Sequence, residues 1–77
     1  MENRVYGRIE ITLTDAIRKK GISKNRLEYL SETQRTLINK YCNGNVQRLD
    51  LAVLARLCTA LDCETSDILR FVPPKRD

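Results

Sequence analysis

The chain contains no histidine and no tryptophan, and only two prolines and three glycines. Without histidine, a tetrahedral zinc site drawn from this chain would need carboxylates beside its thiols, and the commonest general acid–base group is missing. No paired carboxylates in a plausible cleft and no activated-nucleophile spacing replace it, so the expected protein is not an enzyme and carries no metal or cofactor. The three cysteines, Cys42, Cys58 and Cys63, are odd in number and lack C-x-x-C spacing, which reads as reduced, structural thiols. Long apolar runs are also missing. The longest, Leu51 to Ala55, is cut off by Arg56, far short of the ~20 residues a membrane span requires. The opening residues are polar and charged, unlike a signal peptide, so the expected compartment is the cytoplasm. Tyr6, Tyr29 and Tyr41 form no stacking stripe of the kind that holds single-stranded nucleic acid, and nothing indicates a small-molecule ligand.

What is present is a short, periodic and mildly basic chain. Seventy-seven residues make one domain. A chain of this size buries only about 60% of its unfolded surface, so nearly every apolar helix face must serve a single core. The net charge of +4 is uneven: residues 1–48 hold ten Lys/Arg against five Asp/Glu, and residues 49–77 hold four against five. A basic first half suits phosphate neutralisation, although small domains are often mildly basic without binding nucleic acid.

Five helices are expected. The first runs from Leu13 to Lys20, with Ile17 inward, Gly21 as its stop and Arg18-Lys19-Lys20 at the negative end of its dipole. The second and third form a pair within residues 23–44. Ser23 is the N-cap of the second helix, Ile22 and Leu27 are placed as a hydrophobic staple, and Leu27 and Leu30 supply its apolar face. The third begins near Gln34 and turns Leu37, Ile38 and Tyr41 to one side. Its other side carries Arg35, Thr36, Asn39, Lys40 and Asn43, and Asn43-Gly44 suits a left-handed cap. Asp50 caps a fourth helix whose Leu51, Leu54, Leu57, Cys58 and Leu61 form its apolar stripe. A fifth spans Thr65 to Phe71, with Ile68, Leu69 and Val72 available to the core, before Pro73-Pro74 stops it and a tail frays. In the arm before the first helix, Val5, Ile9, Ile11 and Leu13 alternate with Tyr6, Arg8, Glu10 and Thr12, the period of a strand. Two readings stand for it: a strand that pairs with its copy in a two-fold dimer, or a flexible arm packed on the first or fifth helix.

Two short helices joined by a tight turn, the second presenting hydrogen-bonding side chains of the kind that read base edges, point to a DNA-binding helix-turn-helix. Together with DLAVLARLCTALDCETSDIL over residues 50–69, the stretch SKNRLEYLSETQRTLINKYCNG over residues 23–44 resembles the Cro and phage-repressor type helix-turn-helix regulators, from about Ile11 to Val72. The resemblance implies an all-α, compact five-helix bundle of the lambda-repressor-like DNA-binding type, with or without a short N-terminal β-strand. The chain is then expected to divide into an arm over residues 1–11 (a candidate dimerisation strand, which the resemblance does not explain), a helix-turn-helix domain over 12–72 and a tail over 73–77. Its second motif helix would lie in the major groove of double-stranded DNA, which assigns base contacts to Gln34, Arg35, Thr36, Asn39 and Lys40. Arginine can fork onto guanine and asparagine onto adenine. Phosphate contacts fall to Ser23, Lys24 and Asn25 at a helix N-terminus, to Asn43, and to Asn45, Gln47 and Arg48 in the following loop. The implied function is sequence-specific DNA binding by a small transcriptional repressor, acting as a homodimer on a palindromic operator.

The chain departs from the family pattern twice. A small residue is expected where Glu28 stands, and a glycine where Glu32 stands. A left-handed Glu32 would cost roughly 1–2 kcal/mol. Two acidic groups near the DNA face support a rival reading, a protein-interaction module on the same fold, either an antitoxin-like partner or a phage-borne inhibitor, with weak and sequence-blind affinity for DNA.

Overall fold

The computed structural model describes residues 5–75. Residues 1–4 of the expected arm, and Arg76 and Asp77 of the expected tail, lie outside the described residues. In chain order the elements are β1 (Arg8–Ile11), α1 (Leu13–Lys20), α2 (Lys24–Ser31), α3 (Arg35–Cys42), α4 (Leu51–Leu61), a 3₁₀ turn (Thr65–Asp67) and β2 (Leu69–Val72). The fold is therefore mostly helical, with four α-helices and a two-stranded antiparallel sheet among the described residues, not five helices.

Each helix sends one fully buried residue to the centre, Leu13, Leu27, Ile38 and Leu57, and Ile68 joins them from the end of the 3₁₀ turn. Ala16, Ile17, Tyr41, Val53, Leu54 and Leu61 close around these. A buried Leu or Ile contributes about 1.5–3 kcal/mol, so this small set carries much of the fold's stability. Local chemistry sets the helix limits. The Ser23 hydroxyl accepts the Arg26 N–H at 3.0 Å, and an Asp50 carboxylate oxygen accepts the N–H groups of Ala52 and Val53. Gly21 stops α1 at φ 77°. After α3, the left-handed Gly44 lets the Asn45 N–H reach the Lys40 carbonyl and its own N–H reach that of Tyr41. α4 ends the same way at Asp62, φ 51°, with the Cys63 N–H on the Cys58 carbonyl.

That last turn brings together Cys58 and Cys63, both half-buried and free. Burial, with Cys58, Asp67 and Asp62 adding to it, pushes the Cys63 thiol up to about 11. The group is therefore protonated at neutral pH, in line with a structural role.

Three expectations need correction. The expected fifth helix is a single 3₁₀ turn followed by a strand. Pro73 follows so closely that a helix over Thr65–Phe71 would close few hydrogen bonds, whereas Leu69–Val72 gains a full ladder against β1. Second, the arm does form a strand, but its partner lies in the same chain. Arg8 faces Val72, Ile9 faces Phe71, Glu10 faces Arg70 and Ile11 faces Leu69. Third, Leu51 and Leu30 are exposed, 76% and 41%, so the helix stripes are offset from those expected. Val53, not Leu51, completes the buried face of α4, and Ser31, not Leu30, accompanies Leu27 inward.

The sheet is tied to the bundle at its base. The Thr12 N–H donates to the Ile68 carbonyl, and the Thr12 hydroxyl donates to the Asp67 carbonyl at 2.9 Å. One sheet face carries Ile9 and Phe71, both exposed, and the Phe71 ring lies over Gly7, where a Cβ would sit 2.8 Å from the ring and 2.3 Å from the Val72 carbonyl. The other face carries Glu10 between Arg70 at 2.7 Å and Arg8 at 2.9 Å. Arg70 and then Arg8 hold the Glu10 carboxyl below its usual value.

Two outcomes follow from these features. Glu32 adopts the left-handed conformation, φ 51°. Replacing it by glycine removes about 1–2 kcal/mol of strain and adds about 0.5–1 kcal/mol of unfolded-state entropy. Glu32→Gly should therefore raise the thermal midpoint by roughly 4 °C, and a midpoint that falls would show the turn to be unstrained. The depressed Glu10 pKa stabilises the fold above the ordinary carboxylate pKa, and that contribution disappears as pH falls through the folded value. The stability difference between wild type and Glu10→Gln, measured by denaturant unfolding, should be present near pH 7 and shrink as pH falls below the ordinary carboxylate range.

Candidate nucleic-acid interface

α2 and α3 meet through a turn in which most polar groups have partners. Thr33, 4% exposed, donates its hydroxyl to the Ser31 carbonyl at 3.0 Å. Ser31, 1% exposed, donates its own hydroxyl to the Leu27 carbonyl at 2.6 Å. From α4, the Arg56 Nε–H reaches the Ser31 carbonyl at 2.9 Å, placing a cation at the negative end of α2. The left-handed Glu32 lets its own N–H and that of Thr33 close on the Glu28 carbonyl.

The start of α3 is capped from outside the helix. Gln34 occupies the N-cap position but makes no side-chain cap bond. The carboxylate of Glu28, one helix earlier, accepts the Arg35 backbone N–H on Oε1 at 3.1 Å and the Arg35 Nε–H on Oε2 at 2.7 Å. Arg35 Nη2 also donates to the Asn25 side-chain oxygen. Negative charge at a helix N-terminus is favourable, so Glu28 serves α3 as both cap and counter-charge.

The expected base-reading residues fall on the outward side of α3, opposite the buried Ile38 and Tyr41. Gln34, Thr36 and Lys40 are exposed, and Arg35 and Asn39 are half-buried. The two half-buried ones are tethered to α2: Arg35 to Glu28 and Asn25, and Asn39 through its side-chain oxygen to Lys24 Nζ at 2.8 Å. Lys24 and Asn25, expected from the sequence as phosphate contacts, thus sit against two of the expected base-reading side chains. Ser23 has its hydroxyl committed to capping α2. At the other end of α3, Lys40 shares with Asn45, Gln47 and Arg48 the rim of a hollow of about 320 Å³. Asn43, at the C-cap, is exposed and lines a separate hollow between α3 and β1.

Sequence reasoning missed Glu28 as the cap of α3 and Arg56 as the tie to α2. Glu28 stands out in the sequence as a departure from the family pattern, but its partner lies seven residues on, across a turn, where no local motif points to it. Arg56 lies 25 residues beyond Ser31, with no local signal either. Truncating Arg56 while keeping its aliphatic bulk, as Arg56→Met, should cost about 1 kcal/mol in urea unfolding. An unchanged stability would mean that Thr33 alone satisfies the carbonyl.

None of the described helices is long and apolar enough to cross a membrane. No curated protein matches the chain. The family model of the Cro/C1-type HTH DNA-binding domain matches residues 12–74, which takes in all four helices, the turn between α2 and α3 and β2. The chain belongs to the Cro/C1-type helix-turn-helix DNA-binding family.

Proposed function

We propose that this DNA-binding domain is a small transcriptional repressor that reads duplex DNA with α3 in the major groove. The observation that carries the reading is the division of α3: Ile38 and Tyr41 anchor it in the core, and Gln34, Arg35, Thr36, Asn39 and Lys40 line its outer side. Arginine and asparagine on such a face can each make bidentate bonds to guanine and adenine edges. Lys24, Asn25, Asn43, Asn45, Gln47 and Arg48 flank that side as phosphate ligands, with Ser23 contributing backbone N–H at the start of α2. Residues 12–72 are the DNA-binding unit in this reading, between an arm over residues 1–11 and a tail over 73–77. The protein is a binding protein and not an enzyme, and it works in the cytoplasm, where its DNA lies.

A homodimer completes the reading, because two recognition helices about 34–36 Å apart enter successive major grooves on a palindromic site. The exposed Ile9–Phe71 pair on the sheet offers an uncharged surface for that association. The rival reading, a protein-binding module, leaned on Glu28 and Glu32. Glu28 is engaged with Arg35 and α3, which leaves Glu32 as its only support.

Enrichment of bound sequences from a randomised duplex pool, with fluorescence anisotropy at several salt concentrations, tests the proposal. A palindromic motif with steep salt dependence is expected. Arg35→Ala should relax preference at one base pair at a cost of about 1–3 kcal/mol, and Arg48→Ala should weaken all sequences alike and reduce the salt slope by about one. Weak binding with no enriched motif would reject it.

A further inference from the structure

We infer that Glu28 is a specificity-determining positioning residue: it holds Arg35 in one pose and balances its charge, so that the guanidinium reads a base edge and is not drawn to phosphate. The inference rests on the placement of α3 in the major groove proposed above. It starts from the fork geometry. A guanidinium has five N–H donors in a plane. In this chain the Nε–H is bound to Glu28 Oε2 at 2.7 Å and one Nη2–H to the Asn25 oxygen, so the side of the fork facing α2 is occupied. The remaining donors, the Nη1 pair and the second Nη2–H, form the end of the fork, which matches the O6 and N7 acceptors of guanine.

Charge and pose act together here. The ion pair is partly screened from water, with side chains 40% and 32% exposed. An arginine without this partner would sample many rotamers and could satisfy itself on any nearby phosphate, binding every sequence. Held on Glu28, its net charge is compensated, so random DNA gains little from it. Only a guanine that meets the fork end supplies bonds in place of its water. Oε1 of the same carboxylate caps the Arg35 N–H at 3.1 Å, so the reading residue and the first turn of its helix are fixed by one group. Lys24 holds Asn39 from the same side of α2. Rigid, pre-placed readers lose less freedom on binding and discriminate better than mobile ones.

The test compares Glu28→Gln and Glu28→Ala with wild type in the same enrichment and salt titration. Glutamine keeps an acceptor for the Arg35 N–H but removes the charge. Glu28→Gln should keep the thermal midpoint near that of wild type and still lower the specific-to-random affinity ratio by about tenfold, through loss of guanine preference at one base pair. It should also steepen the slope of log K against log salt by about one, because an uncompensated arginine now neutralises a phosphate. Glu28→Ala should add a loss of stability to the same two changes. In an Arg35→Ala background, Glu28→Gln should change neither preference nor slope. If wild type enriches a guanine-containing motif that depends on Arg35, yet Glu28→Gln retains its ratio and slope, Glu28 is a structural cap only and the inference is overturned. If wild type enriches no motif, the placement of α3 in the groove fails instead.

Discussion

The geometry of α2 against α3 depends on the acceptor oxygens of Glu28, main chain and side chain, because the turn between the helices has no glycine and Gln34 makes no side-chain cap bond. The carbonyl of that residue closes the end of α2, and its side chain opens α3. One residue thus spans both sides of the motif. Arg56 adds a third tie by bonding the Ser31 carbonyl from α4, so the motif is held to the helix behind it as well as within itself. In a chain this small, whose centre is five fully buried apolar side chains, such polar ties matter. Each is worth about 1 kcal/mol against a total stability of about 5–15 kcal/mol.

The helix starts and stops were legible in the sequence because they are local. Ser23, Asp50, Gly21 and Gly44 each act within a few residues of themselves, and each does what its chemistry suggests. The polar side of α3 was legible for the same reason, since helical periodicity alone separates Arg35, Thr36, Asn39 and Lys40 from Ile38 and Tyr41. What escaped was non-local. Strand β2 was read as helix because its ladder partner lies at the other end of the chain, as the Glu10–Arg70 pair 60 residues apart illustrates. Without that partner in view, Ile68, Leu69 and Val72 fit a helical spacing. Leu51 and Leu30 were misassigned because a stripe of leucines gives the period of a helix but not its rotation about the axis.

The departures from the family pattern turned out to differ in kind. Glu32 takes the left-handed conformation in which glycine would be unstrained, so the turn keeps a conformation at some energetic cost. Glu28 adds bonds that a small residue could not make. An acidic group beside a DNA-binding face looks unfavourable when charges are summed. It reads differently once its carboxylate is seen to accept both the backbone N–H and the Nε–H of Arg35. Net charge is an argument about encounter with a polyanion, and the pairing of individual charges is an argument about selectivity.

That distinction bears on how so small a protein could discriminate among sites. Phosphate contacts raise affinity for every sequence, so a chain with 14 Lys/Arg risks spending its time on random DNA. Compensating the charge of a reading residue lowers the general term and leaves the directional hydrogen bonds intact. In the proposed reading, Arg35 on Glu28 follows this logic with an ion pair, and Asn39 on Lys24 follows it with a neutral side chain held by a cation. In the first pairing the tether subtracts a charge from the interface, and in the second it supplies one. On that reading Arg35 and Asn39 contribute through direction more than through charge, and Lys40 and Arg48, exposed at the far end of α3, supply the general attraction.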